Sequence, residues 1–226
     1  DEKIITKYNR IGSVNEVSKY DSYGSLNQKQ LYKYDSNGNM IEESWYNSGG
    51  SIDSKEVYEY NSNENLVEGL LYKTDGTLQR KRVYKYDSND NVVEISNKRP
   101  DGKTFSKIVY KYNSKNNLIE ELNYNFIGKL IGRYTYRYNL NGNMIEKSGY
   151  EPDGSLKWNF EIIYDSKENK IDESLFDSDG SLVIRNTYKH DRKKRPIEEK
   201  EEHHVLKFGK KQKTLSKKTN WKYEEY

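Results

Sequence analysis

Aromatic and branched aliphatic residues return along this chain at a fixed interval. A Tyr-x-Tyr pair is followed by a turn rich in Asp, Asn, Ser and Gly, then a branched aliphatic, then an acid. Tyr32-Lys33-Tyr34-Asp35-Ser36-Asn37-Gly38-Asn39-Met40-Ile41-Glu42 is the type copy. The second tyrosine recurs as Tyr8, Tyr34, Tyr60, Tyr86, Tyr112, Tyr138 and Tyr164, with His190 in the eighth place, always 26 residues on. An acid column runs Glu16, Glu42, Glu68, Glu94, Glu120, Glu146, Asp172 and Glu198. A third aromatic runs Tyr20, Tyr46, Tyr72, Tyr124, Tyr150 and Phe176, broken by Lys98. A glycine column starts at Gly24 and Gly50, and an aliphatic lies two residues beyond it, as in Leu26 and Ile52.

Each unit therefore holds two turn signals about half a unit apart, between stretches rich in Tyr, Val and Ile. That pattern predicts an all-β antiparallel meander with two strands per repeat. Nothing recurs at i, i+3, i+4 and i+7, so the pattern does not read as helix. The array covers residues 1–191, and 192–226 form a C-terminal capping hairpin of the same domain.

Turn chemistry suggests a register. Asn39, Asn65, Asn91, Asn117, Asn143 and Asn169 keep asparagine, while the preceding position varies between Gly38, Glu64, Asp90, Asn116, Gly142 and Glu168. Asparagine tolerates the left-handed conformation better than glutamate. The asparagine is thus expected to carry the positive φ and to close a four-residue loop, Ser36–Asn39. Asp35 would face Met40, Tyr34 would face Ile41 and Lys33 would face Glu42. The last pairing makes Lys7/Glu16, Lys33/Glu42, Lys85/Glu94, Lys111/Glu120, Arg137/Glu146 and Lys189/Glu198 opposite charges, whereas Glu59/Glu68 and Ile163/Asp172 break the rule. Opposed like charges destabilise a sheet, so this register is favoured. One face would carry Leu26, Tyr32, Tyr34, Ile41 and Trp45, the other Lys29, Leu31, Lys33, Glu42 and Tyr46. A register that advances in every repeat predicts a coiled or spiral sheet, with a flat single layer as the alternative.

Composition changes the picture in one respect. The chain is 32% hydrophobic and 33% charged, with mean hydropathy −1.18. Such values ordinarily mean disorder. Its 22 tyrosines argue instead for repeats that bury surface between neighbours, using tyrosine for both area and hydrogen bonding. Net charge is +3, which excludes a strong overall pull toward nucleic acid or membrane. There is no cysteine for disulfides or thiolate metal sites. No apolar run reaches the roughly 20 residues of a membrane span, and Asp1-Glu2-Lys3 reads like a mature start lacking its signal peptide.

At the Tyr-x-Tyr-Asp-x-x-Gly-Asn core, Tyr32–Asn39, Tyr84–Asn91 and Tyr136–Asn143, the sequence resembles the RHS/YD repeats of teneurins, insecticidal toxin shells and bacterial wall-associated proteins. MORN-like hairpin repeats share part of the pattern. The resemblance implies a spiralling β-sheet and a secreted, periplasmic or cell-surface location. It also implies a shell enclosing a toxic C-terminal domain. This chain departs there: it has few copies, no cargo domain follows, and the Pro- and Gly-containing self-cleavage motif is not found.

Candidate chemistry is sparse. Asp35-Ser36-Asn37-Gly38-Asn39 opens like a calcium loop, but loop position 6 is Met40 rather than glycine, and a hairpin turn explains the same residues. The Glu column could supply paired carboxylates, yet regular copies read as a ladder, whereas an active site is a local departure from repetition. His190, His203 and His204 lack further ligand spacing. No catalytic, metal or cofactor site is expected. Tyr46, Tyr72, Tyr124 and Tyr150 are the candidate ligand face, stacking on a sugar or a protein partner. Lys207, Lys210, Lys211, Lys213, Lys217, Lys218 and Lys222, set in a basic turn between 205–208 and 219–223, are a candidate polyanion patch. The expected role is a non-enzymatic bacterial surface or secreted scaffold binding protein or glycan, with a structural spacer or a toxin-shell fragment as alternatives.

Overall fold

A computed structural model describes residues 2–207 and 210–223, with side chains described outside 205–215. Among these residues there are strands and turns and no helix. In chain order the strands are β1 (Lys3–Tyr8), β2 (Val14–Tyr20), β3 (Leu26–Tyr34), β4 (Met40–Tyr46), β5 (Ile52–Tyr60), β6 (Leu66–Lys73), β7 (Leu78–Tyr86), β8 (Val92–Lys98) and β9 (Thr104–Tyr112). They continue as β10 (Leu118–Asn125), β11 (Leu130–Tyr138), β12 (Met144–Tyr150), β13 (Leu156–Tyr164), β14 (Lys170–Asp177), β15 (Leu182–His190), β16 (Pro196–Lys207) and β17 (Lys210–Asn220). The chain forms two compact units, Asp1–Val109 with Asn125–Lys129, and Tyr110–Tyr124 with Leu130–Tyr226. Within each unit, consecutive strands pair antiparallel and each described strand contacts only its chain neighbours, so the sheet is a single layer.

A single layer leaves no room for a conventional core. Ile162, at 9% exposure, is the only hydrophobic side chain classed as buried among the described residues. The least exposed polar side chains are Ser18, Ser44, Ser96 and Ser148, whose hydroxyls donate to the ladder acids Glu16, Glu42, Glu94 and Glu146.

The turns correct the expected loop. Gly38 N–H donates to the Asp35 carbonyl (3.2 Å) and Asp35 N–H to the Asn39 carbonyl (2.9 Å), so the loop has three residues, 36–38. The positive φ falls on the variable position, not on the asparagine: Gly38 at 93°, Glu64 at 63°, Asp90 at 61°, Glu168 at 66°. This is the three-residue hairpin, a type I turn followed by one left-handed residue. Asn39 is kept for another reason. Its side-chain amide donates to Asp35 Oδ2, while Asp35 Oδ1 accepts the N–H groups of Asn37 and Asn39. Left-handed glutamate carries a conformational cost, so Glu64→Gly is expected to raise stability by about 0.5–1 kcal/mol in urea unfolding.

Past the loop, Tyr34 faces Met40 rather than Ile41, and the register then shifts so that Lys33 faces Glu42. Ile41 is the extra residue of a β-bulge. A second bulge follows the glycine turn, where Tyr46 faces Ile52 and Trp45 faces Ser54. Leu26 accordingly lies opposite Tyr20, on the face of the third aromatic column, and not with Tyr32 and Tyr34 as expected.

All six expected ion pairs form. Examples are Lys33–Glu42 at 2.9 Å, Lys111–Glu120 at 2.6 Å and Arg137–Glu146 at 2.7 Å; Lys7–Glu16, Lys85–Glu94 and Lys189–Glu198 complete the set. A second cation column, Lys29, Lys55, Lys81, Lys107, Arg133 and Arg185, escaped the sequence reading. It approaches the same acids from the other side. Glu68, which faces Glu59, is neutralised by Lys81, and Asp172, which faces Ile163, by Arg185. The hydrogen-bonded Lys111 ammonium holds the Glu120 carboxyl below the usual range against its desolvation, and Lys7 does the same for Glu16. The lysines are largely exposed, and exposed pairs add little net stability. The ladder sets register.

The tyrosines carry more. The β6–β7 ladder begins at Glu68↔Val83, so the Leu66 carbonyl lies beyond it. The Tyr86 hydroxyl donates to that carbonyl at 2.7 Å. Tyr34 reaches Val14, Tyr60 reaches Met40, Tyr138 reaches Leu118 and Tyr164 reaches Met144 in the same way. In each of these five copies one hydroxyl closes the seam where the ladder stops, and His190 takes the position in the copy that begins with β15.

An aromatic cradle as the candidate functional site

The expected ligand tyrosines are not an open stacking face. Tyr46, Tyr72, Tyr124 and Tyr150 are half-buried. Lys29 lies 5.5 Å over the Tyr46 ring, Lys55 lies 5.3 Å over Tyr72, and Arg133 lies 5.0 Å over Tyr150. The cross-strand cation column occupies these faces through cation–π contacts, each a cross-strand neighbour or near-neighbour in the register.

The basic stretch is also rearranged. Lys210–Asn220 is strand β17 paired with β16, not a turn between two short strands. The reason is charge: the acidic run Glu198–Glu202 lies opposite 216–220, with Glu201 facing Lys217 and Lys218 bonded to Glu198 at 2.8 Å. Lys217, Lys218 and Lys222 are exposed. The side chains of Lys207, Lys210, Lys211 and Lys213 lie outside the described residues.

His203 Nε2 sits 2.7 Å from Glu201, and the His190 Nδ1 atom, where a tyrosine stands in other copies, is buried without a hydrogen bond. No group of three or more His, Asp or Glu side chains is placed to hold a metal among the described residues.

The place where repetition fails is in the second unit, on the face opposite the charge ladder. On β12, Glu146, Ser148 and Tyr150 point to the ladder face, so alternation puts Lys147 and Gly149 on the other. Two cross-strand rows cross this face. Tyr134 faces Gly149, which faces Trp158. Tyr136 faces Lys147, which faces Phe160, then Leu175 and Ile184. In earlier copies the Trp158 column holds Gln28, Ser54, Arg80, Ser106 and Gly132, and the Phe160 column holds Gln30, Glu56, Arg82, Ile108 and Tyr134. Beside a tyrosine column that recurs on this face (Tyr32, Tyr58, Tyr84 and Tyr110), two columns that are mostly polar elsewhere carry Trp158 and Phe160 here.

Gly149 makes this possible. A Cβ built there would stand 2.5 Å from the Trp158 indole, so the indole lies in the space a side chain would fill. The Tyr134 and Trp158 ring centroids are 6.1 Å apart, tilted by 39°. Lys147 Nζ lies 5.6 Å from the Tyr134 centroid, 5.3 Å from Tyr136 and 5.9 Å from Trp158. Burial, then the Glu121 charge, pushes the Tyr136 phenol upward, so it stays protonated and its hydroxyl donates to Glu121 (3.2 Å). Beside this cluster lies a shallow, open depression of about 530 Å³ lined by Trp158, Phe160, Leu175, Phe176 and Val183, with Lys147, Lys157 and Asp177. Its lining is apolar with a few polar groups, the mix found in ligand sites.

No protein-family model and no curated protein sequence matches the chain. Among solved structures it is similar to a Tc holotoxin pore from Photorhabdus luminescens, at 13% identity and TM-score 0.46, over 90% of this chain and 14% of that one. It is also similar to a porin-like protein from Bacteroides uniformis, at 11% identity and TM-score 0.43, over 99% of this chain and 96% of that one. The neighbours are toxin components and a porin-like protein. The chain thus spans about a seventh of the Tc structure's length. No helix among the described residues is long and apolar enough to cross a membrane.

No single column marks the cradle. Lys147 stands in a column of Glu43, Gly69, Ile95, Glu121 and Glu173, and Gly149 in one of Trp45, Leu71, Asn97, Asn123 and Leu175, both of which vary from copy to copy. The place shows only when the register sets Gly149 beside Trp158.

Proposed function

We propose that this chain is a non-enzymatic, extracytoplasmic repeat scaffold that binds a protein or glycan through the aromatic cradle at Trp158. The observation that carries this reading is the Trp158 indole seated against Gly149, in the space a side chain would fill. A structural repeat needs neither the indole in place of a side chain nor the apolar depression beside it. The ladder carboxylates are engaged by cations and support a structural role. The secreted or surface location is supported by the likeness of the tyrosine core to RHS/YD repeats.

Glycan arrays and pull-downs with the whole chain and two variants test the reading. Trp158→Ala is expected to weaken the captured ligand about 30-fold or more, as for a central anchor. Tyr72→Ala should leave it unchanged. Loss with Tyr72→Ala and none with Trp158→Ala would return the site to the opposite face.

A further inference from the structure

Lys147 is set among rings and has no anion. Its ammonium lies 5.6 Å from the Tyr134 centroid, 5.3 Å from Tyr136 and 5.9 Å from Trp158, and among the described residues it has no ion pair and no hydrogen bond. Arg133, Lys170 and Arg195 also lie over rings, and each answers to an acid as well: Glu120, Glu173 and Asp191. Lys29 and Lys55, over Tyr46 and Tyr72, stand in the column that approaches the ladder acids. Lys147 stands on the other face. Ring faces attract a cation without neutralising it, so its charge remains available.

The acids around it are engaged elsewhere. Glu121 accepts the Tyr136 hydroxyl at 3.2 Å and the Asn123 side-chain amide at 2.9 Å. Glu173 pairs with Lys170 at 2.6 Å and accepts the Tyr188 hydroxyl. Asp177 lies opposite Trp158, but its Oδ1 accepts the N–H groups of Asp179 and Ser181 in its own turn. Lys157, the other lysine of the depression, pairs with Glu151 at 3.0 Å. Of the three charged groups lining the depression, only Lys147 lacks both an opposite charge and a hydrogen bond among the described residues.

An uncompensated cation beside an apolar depression fits an occupant that carries an apolar group and an anion side by side. A sugar fits less well. Each ring brings several hydroxyls, every one a donor and an acceptor that must be paired when water leaves. Besides its two lysines the lining offers only the Asp177 carboxylate, turned into its own loop. An aliphatic or aromatic side chain makes no such demand. We propose that the cradle takes an acidic segment of a partner polypeptide, with one large apolar side chain in the depression beside Trp158 and Phe160 and a neighbouring Asp or Glu carboxylate on the Lys147 ammonium. This rests on the reading of the cradle as a ligand site and narrows it from protein or glycan to protein. The ion pair fixes which segment is accepted and in which orientation, and the apolar contact holds it.

Two probes with one ring system separate the apolar contact from the charge: anilinonaphthalene sulfonate and phenylnaphthylamine, which lacks the sulfonate. Fluorescence titration of the whole chain is expected to show Trp158→Ala weakening both, and Lys147→Gln weakening the sulfonate alone, about five- to tenfold. If Trp158→Ala changes neither, the cradle is no ligand site and the proposal falls with it. If Trp158→Ala weakens both probes but Lys147→Gln spares the sulfonate, the cradle stands and the charge assignment is overturned. The polypeptide is tested by selecting a random peptide library on phage. Parent protein should enrich an aromatic or aliphatic residue next to Asp or Glu, and Lys147→Glu should enrich Lys or Arg in place of the acid. Glutamate already stands in this column as Glu43, Glu121 and Glu173, so circular dichroism of that variant should match the parent. The same peptides from both proteins, or glycan-array hits with no enriched peptide, would overturn the proposal.

Discussion

Tyr86→Ala is expected to lower the unfolding free energy by about 2–3 kcal/mol and Tyr86→Phe by about 1 kcal/mol, measured by urea unfolding. The alanine variant loses a half-buried ring that packs across a seam, and the loss falls below the figure for a fully buried aromatic because the ring is partly wet. The phenylalanine variant keeps the ring but leaves the Leu66 carbonyl without its 2.7 Å donor at a point the ladder does not reach. Tyr8→Phe is the internal control. Its hydroxyl meets no described carbonyl, so the change should stay within about 0.5 kcal/mol of the parent. Equal losses at Tyr8 and Tyr86 would show that the hydroxyl closes no seam and that the column is kept for ring burial alone.

Gly149→Val should cost about 1–3 kcal/mol and expel the Trp158 indole, seen as a red shift in tryptophan emission together with a lowered Tm. The argument is steric. Even the first carbon of a side chain would stand 2.5 Å from the indole, and a branched one leaves it no way to stay. Gly69 provides the contrast. A Cβ there meets its nearest atom, Glu56 Oε1, at 3.5 Å, an ordinary contact, so Gly69→Ala should be neutral within about 0.5 kcal/mol. If Gly149→Val leaves emission and Tm unchanged, the cradle is not held as described.

How much of this could be read from residues alone depended on whether a feature repeats. The strands, the glycine turns and the six ion pairs follow from columns, and the structure has them. The Lys33–Glu42 pairing came out right although the loop beneath it did not. A three-residue loop plus one bulged residue displaces the strand by as much as a four-residue loop, so the two errors cancel at Lys33 and show only at Asp35 and Tyr34, while Leu26 is moved by the second bulge. Bulges leave no periodic mark of their own, because Ile41 looks like any strand residue. The left-handed glutamates were missed because a fixed asparagine beside a variable position invites the wrong assignment; the asparagine is held by the Asp35 carboxylate, not by its own φ. The surroundings of the candidate tyrosines were hidden for a related reason. Tyr46 and Tyr72 are conspicuous in sequence, but the lysines that cover them come from the neighbouring strand. Trp158 and Gly149 acquire meaning only when they are set side by side across β12 and β13.

Because every described strand touches only the strands before and after it, no distant part of a unit has to agree on how many copies there are. Whole copies can be gained or lost by unequal recombination without redesigning what remains, so length is a quantity selection can adjust in steps. A feature that occurs once, such as the cradle, can then be carried nearer to or farther from a terminus while its own surroundings stay intact.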